Sequence, residues 1–129
     1  MISILADELY SKSIHFKKYN RSNLLLKKNR VLLEKEICEA EKLIEFLIIH
    51  LHSNPNYSND YYELALFMSK TLAECHAILT GKSKNYRDTV ERYVWGFHNL
   101  PRAFVSIDNS MNISPNQAME YFKSYIKPD

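Results

Sequence analysis

Residues 22–52 read SNLLLKKNRVLLEKEICEAEKLIEFLIIHLH, with no Gly or Pro among them. Within this stretch Leu33, Ile37, Ala40, Ile44, Leu47 and Leu51 recur in alternating steps of four and three. That spacing keeps one face of a helix with about 3.6 residues per turn against a core. Ser22 is placed to act as an N-cap. Asn54-Pro55 removes a backbone donor and turns the preceding residue away from helix, so the pattern predicts an end near His52. A helix of about 30 residues would extend about 45 Å, longer than most small domains are wide. The same reading therefore predicts a bend or a break near Lys27-Lys28-Asn29-Arg30.

The chain has 129 residues but only two Gly and four Pro. So few turn-formers argue for long helices with short connections, and against a sandwich, a barrel or a Gly-rich phosphate loop. At this length a core can form without metal or disulfide staples. The expectation is one all-α domain over residues 1–129, a bundle of about five helices, with the long second helix packed antiparallel on the third.

The remaining helices follow from the same signals. Ile2 to about Tyr19 reads as a first helix, with Leu5, Leu9 and Phe16 inward and Lys12, Lys17 and Lys18 toward solvent. Asn20-Arg21-Ser22 connects it to the second. Ser58 is expected to cap, by a side-chain bond to the first turn, a third helix running to about Thr80, on which Tyr61, Ala65, Met68, Leu72, Cys75 and Leu79 repeat the four-and-three spacing. Gly81 suits the left-handed residue that ends such a helix. A fourth helix is expected from about Lys84 to Asn99, weakened toward its end by Gly96. Residues 102–107 fit either a short helix or an extended segment, and 108–113 read as loop. Ser114-Pro115-Asn116-Gln117 is a capping box with Pro at the first helical position, announcing a last helix that stops at Pro128.

Met1-Ile2-Ser3-Ile4-Leu5-Ala6 is followed at once by Asp7 and Glu8, without the basic start or apolar run of a secretion signal. No stretch approaches the roughly 18 apolar residues of a membrane span. A cytoplasmic protein is the expectation, and Cys38 and Cys75, each at an apolar helical position, are expected to be free thiols. The net charge of +2 hides a partition. Residues 1–30 carry seven Lys/Arg and two acids, residues 31–81 three and eight, and residues 82–129 seven and five. The basic ends have an acidic middle to pair with inside the fold. With neither a continuous basic helix nor a binding motif present, nucleic acid is not the expected partner.

No cofactor or metal is expected from the spacing of ligands along the chain. His50 and His52 point to different sides of a helix, whereas ligands sharing a metal from one helix sit three or four apart. Cys75-His76 has no second pair at zinc-finger spacing. One run does resemble an enzyme motif. Arg92-Tyr93-Val94-Trp95-Gly96-Phe97-His98 is similar to the Arg-x4–6-His pattern of HEPN-domain ribonucleases, which are also helical bundles. That resemblance implies that Arg92 would stabilise charge on an RNA phosphate and His98 would act as acid or base. Tyr93 stands where that family usually places a polar residue.

Other features suit protein binding. Glu34, Glu41 and Glu45 fall at nearly the same angle around the second helix, at about 100° per residue, and form a strip that attracts a basic partner. Aromatic residues are too many for the core of so small a domain, and Tyr57, Tyr61 and Trp95 are candidate anchors for a partner. In general character the whole chain resembles the small cytoplasmic immunity proteins of bacterial toxin–immunity systems, including those of contact-dependent growth inhibition: helical, poor in Gly, rich in Lys, Asn and Ile, with an acidic surface. The resemblance implies a non-enzymatic, stoichiometric inhibitor that folds alone and occludes a cognate toxin domain, commonly a nuclease with a basic surface. The alternatives are a HEPN-like ribonuclease and a helical regulatory or adaptor protein. Nothing in the sequence calls for a homo-oligomer.

Overall fold

The computed structural model describes residues 1–105 and 113–127. Among them are five α-helices and no strand: α1 (Ile2–Phe16), α2 (Lys27–His52), α3 (Asn59–Gly81), α4 (Tyr86–Gly96) and α5 (Pro115–Ile126). No helix among the described residues is long and apolar enough to cross a membrane.

The long helical pattern does break, and local hydrogen bonding explains where. Ser22 was expected to cap α2, but its side chain caps nothing; residues 23–25 form a separate 3-10 turn, and Leu26 is extended. Asn20 imposes this arrangement, its Oδ1 accepting from the backbone N–H of Ser22 (2.9 Å) and Asn23 (2.8 Å). Arg30 then reaches back from the first turn of α2, donating to the carbonyls of Leu24 and Leu25 at 2.8 Å each. Satisfied on both sides, the turn drives Leu24 into the core as a fully buried wedge.

From Lys27 onward the pattern holds. All six apolar positions of α2 are buried, and so are Ala65, Met68, Leu72, Cys75 and Leu79 on α3; Tyr61 is only half-buried. Each fully buried Leu or Ile in these stripes contributes about 1.5–3 kcal/mol. The stripes face each other across the loop containing Pro55, and α2 and α3 share the most extensive contact in the protein. Their direction is antiparallel. The His52 ring lies 5.9 Å from that of Tyr62 near the loop, while Glu34 and Glu41 meet His76 farther from it.

α1 packs on the opposite flank of α2 and ends at Phe16, earlier than expected; Tyr19 lies beyond it but is buried, and its hydroxyl donates to Glu36 on α2. Lys12 joins the same two helices through Glu39 (2.9 Å), so it is less exposed than the reading of it as a solvent residue implied.

The end of α3 differs from expectation in one detail. Its last bond, Lys82 N–H to the carbonyl of Ile78, keeps Gly81 inside the helix, so the left-handed conformation falls on Lys82 (φ 52°). Asn85 (φ 63°) then occupies the N-cap position of α4 without a side-chain cap bond, as Ser58 does that of α3, Asn being among the few residues besides Gly that visit this region.

α4 stops at Gly96, short of the expected end, and continues as 3-10 turns at 97–99 and 101–103, so the segment left open at 102–107 begins as helix; residues 106–107 and the loop expected at 108–113 lie outside the described residues except for Ile113. Gly96 has a positive purpose. A Cβ there would sit 2.7 Å from Tyr125 Cβ and 2.9 Å from its Cγ, so only glycine lets α5 lie this close. The expected capping box is formed in full: Ser114 Oγ accepts from Gln117 N–H (3.1 Å) and Gln117 Oε1 from Ser114 N–H (2.9 Å). Phe122 of α5 fills the space between Phe67 of α3 and Tyr93 of α4, edge-on to each ring at 5.8 Å.

Candidate functional site

The six sequence-derived binding residues do not gather in one place. Glu34 and Glu41 lean into the groove between α2 and α3, where Glu34 Oε1 lies 3.5 Å from His76 Nε2 and Glu41 Oε1 lies 3.6 Å from His76 Nδ1. Glu45, one turn beyond Glu41, remains exposed. Tyr57 and Tyr61 stack edge-on at 5.3 Å, and Tyr61 packs on Phe104 at the same distance, so both are half-buried where the loop closes the bundle. Trp95 lies elsewhere. Its indole N–H donates to the carbonyl of Tyr19 at 2.7 Å, tying α4 to the segment after α1 and leaving 40% of the residue exposed.

Among the described residues, the groove around His76 brings together a thiol, an imidazole and a carboxylate as potential metal ligands. Cys38, Glu41 and His76 place one donor atom each within 4.8 Å of one another, all three half-buried, and Glu34 closes the other side of the imidazole. Cys38 and Glu41 are three apart on α2, hence on one helical face. Burial, then the charges of Glu41 and Glu34, push the Cys38 thiol above its ordinary value, while Lys42 acts more weakly the other way. Among the described residues no Lys or Arg comes within ion-pair distance of Glu34 or Glu41.

Spacing along one helix does not reveal this group, because half of it comes from the neighbouring helix. A signal was nonetheless present. In an antiparallel pair folded about the loop, residues equidistant from its midpoint face each other, and Cys38 and His76 are each nineteen residues from Tyr57. His52 and Tyr62, five residues from it on either side, do meet in the structure.

Arg92 and His98 are placed differently. Arg92 is exposed on α4, and His98 is half-buried in the 3-10 turn that follows, its Nδ1 2.9 Å from the carbonyl of Trp95 and its ring edge-on to Tyr125 at 6.2 Å. A carbonyl only accepts, so Nδ1 carries the proton and Nε2 is left as the basic nitrogen. Burial lowers the His98 pKa below its ordinary 6.5, helped by Lys17 and Arg102 and opposed by the Trp95 carbonyl.

No family model matches the chain, and no curated protein or solved structure matches it either.

Proposed function

We propose that this protein is a stoichiometric inhibitor of the immunity type, which holds the basic surface of a toxin domain of the nuclease class against the exposed side of α2. One observation carries the reading. Next to Glu45, α2 exposes Phe46 and Ile49, which are 56% and 59% accessible and three residues apart on one helical face. Large apolar side chains held in water on a rigid helix, beside charge, have the composition of an interface: the apolar pair contributes affinity and the carboxylate steers encounter. Tyr57 is not needed for this surface: it is half-buried against Tyr61 at the loop after α2. Because Glu34 and Glu41 lean toward His76, Glu45 is the glutamate best placed to meet a partner.

The test compares the wild type with a Glu45→Lys/Phe46→Asp double variant. Immobilised wild type should capture one toxin domain from cells of the source organism and protect growth when co-expressed with it. The double variant should keep its helical circular dichroism but lose capture and protection. Retention of both would overturn the assignment of the interface to α2. RNA cleavage by the purified chain, abolished by His98→Ala, would instead favour the ribonuclease reading.

A further inference from the structure

We propose that Cys38, Glu41 and His76 form a binding site for one divalent cation of the zinc class, with Glu34 as the carboxylate that orients the imidazole. This does not rest on the inhibitor reading. The donor set is a thiolate, an imidazole nitrogen and a carboxylate, which suits zinc and disfavours the hard, oxygen-seeking magnesium and calcium ions.

Geometry supports the choice. Bond lengths of about 2.0–2.3 Å in a tetrahedral shell put neighbouring ligand atoms about 3.3–3.8 Å apart. The three donors already lie within 4.8 Å of one another, so side-chain rotation of about 1 Å completes the shell without moving either helix. All three side chains are half-buried, sheltered enough to be positioned and open enough for an ion to enter. Their backbones are fixed by the buried stripes of α2 and α3, so the site is built on rigid elements and not on a loop.

The two faces of His76 divide the work. Glu41 lies on the Nδ1 side, at 3.6 Å, so Nδ1 is the nitrogen turned toward the ion. Nε2 then faces Glu34, 3.5 Å away, and a small closure gives the carboxylate–histidine pairing that fixes ring orientation and raises ligand basicity in metal sites. Three protein ligands leave a fourth position for water. On binding, the Cys38 S–H bond gives its proton to solvent and the sulfur lone pair forms the bond to the ion, with no change of oxidation state. The ion also brings positive charge beside two half-buried glutamates that no Lys or Arg pairs among the described residues.

The experiment uses the untagged, chelator-treated full chain titrated with Co²⁺, followed by competition with Zn²⁺. One equivalent of cobalt should produce a near-ultraviolet thiolate-to-cobalt charge-transfer band and the intense visible bands of four-coordinate cobalt, and zinc should remove both. Cys38→Ser should abolish the charge-transfer band. His76→Gln should abolish stoichiometric binding, with the helical circular-dichroism spectrum retained in each variant. Glu34→Gln should keep the band but weaken affinity by about 10- to 100-fold. Absence of the band in the wild type, its survival in Cys38→Ser, or unchanged affinity in His76→Gln would each overturn the site. Unchanged affinity in Glu34→Gln would overturn the orienting role.

Discussion

Between α4 and α5 the backbones approach so closely that a methyl group on Gly96 would collide with Tyr125, and the rings of Tyr93, Phe67 and Phe122 fill the adjoining space edge to face. Between α2 and α3 an equally apolar floor carries a polar cluster at its rim: a thiol, an imidazole and two carboxylates with no lysine or arginine at ion-pair distance among the described residues. The first contact is shaped to maximise packing. The second gives up some electrostatic comfort, the usual mark of a place arranged for something other than stability.

The contrast is broken most directly by Gly96→Ala. Overpacking costs about 1–3 kcal/mol, and the better helix propensity of Ala returns at most about 1 kcal/mol, so the urea midpoint should fall. A midpoint at or above that of the wild type would show that α5 can retreat without penalty. Acid should loosen the same region. Because burial holds the His98 pKa below 6.5, the unfolded chain binds the extra proton first as pH falls. Stability from this group is therefore complete above 6.5 and declines as pH drops through that value toward the folded pKa. Urea midpoints measured across this range should show the decline in the wild type and a flatter profile in His98→Gln. The smallest effect is expected in the other groove. In the metal-free protein, Glu41→Gln removes one of two half-exposed carboxylates that share a single imidazole and no Lys or Arg among the described residues, so the midpoint should stay within about 0.5 kcal/mol of the wild type. A large loss would mean that the cluster holds α2 to α3 in its own right.

The helical stripes of α2 and α3 were legible because a period is a property of one segment, and burial of Leu33 through Leu51 follows it residue by residue. The capping box at Ser114 was legible for the same reason: its partners are three residues apart. What the sequence hid depends on contacts between segments. Gly96 reads as a weakness until Tyr125 is placed against it, and Ser22 reads as a cap until Asn20 takes the backbone donors around it. The Cys38–Glu41–His76 group needs the register of two antiparallel helices before its members meet. Trp95 was read as a partner anchor together with Tyr57 and Tyr61; it is 40% exposed, but its bond to Tyr19 places it apart from the tyrosines near the loop.

That bond has an optical consequence. Trp95 is the only tryptophan in the chain, and its indole bridges α4 and the segment after α1. Its emission therefore reports one joint and not the whole bundle: separation of α4 from Tyr19 shifts the fluorescence to longer wavelength as water reaches the ring, even while the remaining helices stay folded. Paired with circular dichroism, which averages over every helix, the protein carries its own means of telling local opening from global unfolding.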